Sequence, residues 1–213
     1  MAKVTLPVLG VDASGTIGDS VTFGRWRGVN YARTRVVPAN PRTTAQTSQR
    51  ALMTWVVRAW QFSPAVVQAA FYAAAKGLKM TAFNLFTKKN MVVLRPEVDN
   101  SLVVVSPGQS GAPAIVAIDA TGGTGELQVA ATVGDVVAGT SVESVHFIVM
   151  QRQNIREAFI PPIRALSDNT APYSVTFTGL TAGDYVAAAF VEAIDAKGNR
   201  LFGAQLNDVA TVT

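Results

Sequence analysis

The sequence predicts an α+β chain: an extended N-terminal arm and short helices, followed by an all-β sandwich. Three observations carry this. The spacing of apolar residues changes from three-and-four to two near Pro113. The balance of charge reverses at nearly the same place. Between the halves lies Ser106-Pro107-Gly108-Gln109-Ser110-Gly111-Ala112-Pro113, rich in residues that make linkers. The domains therefore read as 1–105, a basic arm and helical assembly module; 106–112, a linker; and 113–213, a β-sandwich.

The net charge of +4 hides the reversal. Before Ser106 thirteen cations face four anions, +9; from Ser106 onward five face ten, −5. Such a step marks modules with different surroundings. Of the 213 residues, 49% are hydrophobic and 15% charged. A large core is affordable and bulk disorder is not expected. The mean hydropathy of +0.27 suits a protein whose surface is partly covered by neighbours. With no cysteine, disulfides, thiolate metal sites and cysteine nucleophiles are excluded. The first seven residues lack the apolar run of a secretory signal, and no stretch approaches the length of a membrane span, so no membrane partner is expected.

Residues 4–37 read as extended. Val21-Thr22-Phe23 and Val29-Asn30-Tyr31 flank a turn over Gly24-Arg25-Trp26-Arg27-Gly28. Arg33 and Arg35 share a strand face by alternation. Pro38 and Pro41 end the pairing, since proline has no N–H to donate. A helix begins at Thr43 or Thr44 and places Leu52, Trp55, Val56, Ala59 and Trp60 on one stripe. Ser63-Pro64 starts a second helix with Val67, Ala70, Phe71 and Ala74 inward, and Gly77 follows as its C′ residue. Thr81 caps a short third helix holding Phe83, Leu85 and Phe86 and ending near Lys88-Lys89. For Trp55 and Trp60, core packing is preferred over a role as partner anchors.

Beyond Pro113, strands are expected near Ile115–Ala120, Leu127–Ala131, Ser144–Met150, Ser174–Thr178, Tyr185–Glu192 and Val209–Val212. Ser144–Met150 is nearly all apolar, the mark of a buried strand. Gly122-Gly123-Thr124-Gly125 reads as a hairpin loop, because it lacks the Lys-Ser/Thr of a phosphate-binding loop. Asp195-Ala196-Lys197-Gly198-Asn199 reads as a turn in preference to a calcium site.

Two resemblances follow from these residues. The run Phe177-Thr178-Gly179-Leu180-Thr181-Ala182-Gly183-Asp184-Tyr185, with the turn at 195–199, resembles the late strands of fibronectin type III and related Ig-like domains. No early-strand Trp accompanies it, which implies an Ig-like sandwich and not strictly the fibronectin type. Gly24-Arg25-Trp26-Arg27-Gly28-Val29-Asn30-Tyr31-Ala32-Arg33, then Pro38-Ala39-Asn40-Pro41-Arg42-Thr43, Gln46, Arg50, Thr81–Phe86 and Asn90, resembles a pattern of tailed-bacteriophage structural proteins. That resemblance implies a virion component, without saying which one. Other virion proteins and, in a homo-oligomer, further copies of the chain are the expected partners, and no cofactor is expected.

Catalytic chemistry finds little footing. His146, the one histidine, sits in an apolar strand with no nucleophile or acid assignable beside it, and reads as structural or exposed. No further ligands cluster with it, so no metal site is expected. Gly108-Gln109-Ser110-Gly111 lacks the spacing of a nucleophile elbow. The chain is therefore expected to be non-enzymatic. Arg25, Trp26, Arg27, Tyr31, Arg33, Arg35 and Arg42 form the candidate partner-binding set, since Arg and aromatic residues dominate interface energies. Docking on an acidic protein surface is preferred to a solvated strand face, and nucleic acid comes last. A carbohydrate- or cell-binding module is the other alternative, with Phe159, Tyr173 and Phe202 as its aromatic candidates.

Overall fold

The computed structural model describes residues 14–37, 39–157 and 162–213. The expectations for residues 4–13, Pro38 and Phe159 fall outside this set. The chain forms two compact units, Met1–Arg42 and Thr43–Thr213. The first contains an antiparallel meander, β1 (Gly15–Ile17), β2 (Val21–Trp26) and β3 (Val29–Thr34), in the order β1-β2-β3.

The second unit opens with three helices, α1 (Thr44–Phe62), α2 (Ala65–Ala75) and α3 (Ala82–Leu94). Thr43 caps α1, its Oγ1 accepting from the Gln46 N–H at 3.4 Å, and Thr81 caps α3 through the Asn84 N–H at 3.2 Å. Gly77 takes φ +86° just past α2, as a C′ residue should. Two expectations need correction. Ser63 does not cap α2; its hydroxyl donates back to Ala59 O at 2.6 Å and closes α1 instead. Nor does α3 stop at Lys88-Lys89. The helix runs on to Leu94, where Met91 and Leu94 continue its apolar stripe, and Leu94 is fully buried.

Eight strands follow: β4 (Ile115–Gly122), β5 (Glu126–Val133), β6 (Thr140–Gln151), β7 (Arg164–Asp168), β8 (Tyr173–Thr178), β9 (Gly183–Asp195), β10 (Arg200–Phe202) and β11 (Leu206–Val212). β7 and β10 are additions to the expected set, and the 195–199 turn joins β9 to β10. One sheet is β4-β5-β8. The other is four strands wide, β7-β6-β9 with β10 and β11 in succession along the free edge of β9. This three-on-four antiparallel sandwich also carries a tyrosine corner. Tyr185 Oη, at the start of β9, donates to Thr181 O at 3.0 Å. The Ig-like expectation thus holds at the level of strand order and corner.

Two apolar layers hold the unit together. Leu127, Val129, Phe147, Phe177 and Val191 fill the space between the sheets. The other face of the four-strand sheet, through Ile148, Met150, Val186, Phe190 and Phe202, packs on Leu52, Trp55, Phe71 and Phe86 of the helices. β9 is consequently buried on both faces from Tyr185 to Ala193. Trp55 is core, as expected, and half-buried Trp60 lies edge-on to Phe71 at 6.1 Å. Helices and sandwich therefore share a core, and the packing divides the chain at 42/43, not at 106–112. That segment is no free tether: Gln109 exchanges two 2.8 Å hydrogen bonds with the Phe202 backbone, and Ser106 Oγ donates to Gly203 O at 2.7 Å. Arg156 adds a bolt, donating to Ser48 O at 2.9 Å and to Arg95 O at 3.1 Å.

Asp99 fastens the segment after α3 to the sheet. Arg152 donates to its Oδ2 through Nε and Nη2, at 2.9 and 2.7 Å, and the Ser101 N–H to its Oδ1 at 2.9 Å. Burial pushes this carboxyl up, but hydrogen bonds from Ser101 and the Arg152 guanidinium outweigh it and hold it below the usual carboxylate range. A depressed folded-state pKa contributes stability that is complete above the unfolded value, near 3.9, and vanishes as pH falls through the folded value. Asp99→Asn should therefore lower stability at neutral pH and flatten its acid dependence below about pH 4. Urea titrations across that range check it; equal slopes for both proteins would refute it.

Candidate docking surface

The meander is built from its register outward. Trp26 pairs with Val29, and the two-residue link between them, Arg27-Gly28, has φ of +48° and +81°. This is the twist-matched two-residue hairpin in which Asn-Gly is favoured. An arginine in the left-handed region is disfavoured, by roughly 1 kcal/mol. The turn is shorter than the expected 24–28, because Gly24 lies within β2, opposite Tyr31. A Cβ on Gly24 would come 2.6 Å from Tyr31 Oη, so glycine here makes room for the ring.

Alternation puts Thr22, Gly24 and Trp26 of β2 on one face with Val29, Tyr31 and Arg33 of β3. Arg27 stacks on Trp26 at 5.0 Å and Arg33 on Tyr31 at 5.8 Å. Arg25, Trp26, Tyr31 and Arg33 together line a concavity of about 260 Å³. Trp26 is 67% exposed. Five of the seven candidate residues, Arg25, Trp26, Arg27, Tyr31 and Arg33, thus come together. Arg35 lies beyond β3 and is ion-paired with Asp19. Arg42 follows β3 in the chain, at the end of the unit with φ +45°, and does not line the concavity. Val29 and Gly24 were not in the sequence-derived set; the two-residue alternation across the turn was the signal for them.

None of the described residues from 14 to 42 is buried.

The sandwich offers less chemistry than its residues suggest. His146 Nε2 lies 2.7 Å from Glu192 Oε2 and 3.1 Å from Ser144 Oγ, with the ring 5.4 Å from that of Phe190. Sequence reasoning missed both partners: Ser144 is two residues back on the same face, and Glu192 sits across on β9. Acid and hydroxyl meet the same ring nitrogen. A general base needs them on opposite nitrogens, one to orient the ring and one to be deprotonated. Arg200 Nε, 3.1 Å from Glu192 Oε1, completes a polar seam. At the 195–199 turn, Lys197 N–H, Asn199 N–H and Asn199 Nδ2 all donate to the Asp195 carboxylate, at 2.8, 2.8 and 2.9 Å, so the turn reading stands. Among the described residues no group of three or more metal-binding side chains occurs, and no helix is long and apolar enough to cross a membrane. Of the aromatic candidates for carbohydrate binding, Phe202 is core, because β10 turns it toward the helices, and Tyr173 is half-buried against the inter-sheet core.

Residues 12–196 match the family model DUF6266, a family of unknown function, and the match runs from the hairpin through the helices into the sandwich. No curated protein matches the chain. Among solved structures, the chain is similar to the fibronectin(III)-like modules of Clostridium thermocellum CbhA, at 23% identity over 47% of this chain and 93% of that one, with a TM-score of 0.28. A cohesin module from a Clostridium perfringens family 33 glycoside hydrolase gives 13% identity over 48% and 96%, with a TM-score of 0.30. The sandwich assignment rests on the strand order and the tyrosine corner, not on these likenesses.

Proposed function

The chain belongs to DUF6266, a family of unknown function, and we propose that it is a non-enzymatic structural component of a tailed phage particle, docking on neighbouring subunits through its basic hairpin. The observation that carries this is the hairpin itself, a three-stranded sheet with no buried residue among those described and with arginines and aromatic rings stacked on one face. Its partner is an acidic protein surface, since arginine forks bind carboxylates and stacked aromatics supply the apolar contact. Arg27, held where Asn would be more comfortable, fits a residue kept for binding and not for the turn. The phage assignment draws on the resemblance of residues 15–91, and places the protein in the virion as a capsid decoration or a neck or tail protein.

Antibody against residues 113–213, applied to intact and opened particles from the source culture, should label heads or the neck and tail. Absence of label on both would sink the virion reading. Trp26→Ala combined with Arg33→Ala should weaken docking by about 2 kcal/mol or more, roughly thirty-fold in Kd. Particle-bound copies, counted by quantitative mass spectrometry, should fall accordingly while circular dichroism stays unchanged. Unchanged incorporation would move docking elsewhere. Binding of the hairpin to DNA with a steep salt dependence would favour nucleic acid instead.

A further inference from the structure

The second unit is electrically polarised. Residues 43–95 carry seven Lys or Arg and no Asp or Glu, whereas residues 96–213 carry five cations and twelve anions. The two parts are thus +7 and −7, and the unit is neutral in sum. The helices bury one face against the four-strand sheet, and all seven cations are exposed. Large apolar side chains stand exposed in the same layer: Phe62, Tyr72, Leu78 and Val92 are each more than half exposed. At the opposite side of the sandwich, β4, β5 and β8 contain no cation. Their inner residues, Leu127, Val129 and Phe177, are buried, so alternation turns Asp119 and Glu126 outward, and both are exposed.

We infer that the helix layer of one copy docks on the outer β4-β5-β8 sheet of a second copy. The occupant is chosen by charge: the basic, acid-free layer meets a sheet on the far side whose own strands carry acids and no cation, with Arg164 of β7 only at its β8 end. Exposed apolar residues among the cations suit a protein surface better than a phosphate backbone. The two surfaces differ, so the contact is heterologous, and repetition closes into a ring or continues as a filament. This goes beyond the hairpin reading and does not depend on it.

Sedimentation velocity of the full chain tests it. At low ionic strength the protein should form species larger than a monomer, and these should dissociate as salt shortens the Debye length to a few ångströms. Lys88→Glu with Lys89→Glu should reduce the association at least about tenfold, and Asp119→Lys with Glu126→Lys likewise. An equimolar mixture of the two variants should associate again, because each supplies the face the other has inverted. A wild-type protein that stays monomeric at low salt overturns the inference. So does association that survives either reversal, or a mixture that remains monomeric. If the variants misfold by circular dichroism, the salt response of the wild type decides. A monomer that shifts a duplex oligonucleotide, with the shift lost on reversing Lys88 and Lys89, assigns the layer to nucleic acid and also overturns it. Trp26→Ala with Arg33→Ala, which touches only the hairpin, should leave the association intact; its loss there would transfer self-association to the hairpin.

Discussion

Phe190→Ala should lower the stability of the 43–213 unit by about 3–5 kcal/mol, a large share of the roughly 5–15 kcal/mol that holds a typical domain. Phe190 is fully buried on β9, in the layer shared with the helices, and its ring lies 6.2 Å from that of Phe202. Truncation leaves a cavity between sheet and helices, which rigid elements on both sides cannot easily collapse. The form of the unfolding matters as much as its midpoint. If helices and sandwich share one core, the helical far-UV signal and the amide protection of Glu126–Val133 must be lost together, in the wild type and in the variant. Helices that melt first, leaving the outer sheet protected, would restore independent modules on either side of 106–112.

The sequence made local features legible and concealed shared ones. Thr43, Thr81 and Gly77 were readable because a cap depends on a few neighbouring residues. The Gly179–Tyr185 run was readable because it is local, but the bond from Tyr185 Oη to Thr181 O that makes it a tyrosine corner came with the structure. β7 and β10 were missed because five and three residues, Arg-Ala-Leu-Ser-Asp and Arg-Leu-Phe, carry no period and no β-branched side chain. The shared core was concealed by charge. A charge step reports which solvent-facing surface each layer presents, not which core it joins. The countersignal lay in the strands. Val145–Met150 and Val186–Val191 are apolar or small on both faces, apart from His146, and such strands need cover on both sides. The helices supply that cover. At the hairpin, the residue types were readable, but Gly24 was assigned to the turn when its role is to accommodate Tyr31.

Asn90→Ala should cost about 2–3 kcal/mol, although it removes only a small polar side chain. Asn90 is fully buried on α3 and mimics a backbone amide. Its Oδ1 accepts from Val104 N–H at 2.9 Å, and its Nδ2 donates to Val104 O at 3.0 Å and to Phe86 O at 3.2 Å. Without it, the N–H and C=O of half-buried Val104 lose their partner, each costing toward the lower end of the roughly 1–3 kcal/mol that a fully buried group would. The same device recurs along the segment. Asn100 brackets Gln151 O and Gln153 N–H, while Gln205 and Asn207 hold the backbone of Val103. Side-chain amides thus replace a sheet ladder for a chain stretch that forms no strand of its own. Asn90→Asp separates acceptor from donor: it keeps the acceptor for Val104 N–H, removes the donor, and introduces a buried charge, so it should be no better tolerated than alanine. Urea unfolding should show the midpoint falling at constant slope in both variants. A loss below about 1 kcal/mol for alanine would mean that the segment moves to satisfy Val104 elsewhere, and that the amide clamp is not what holds it.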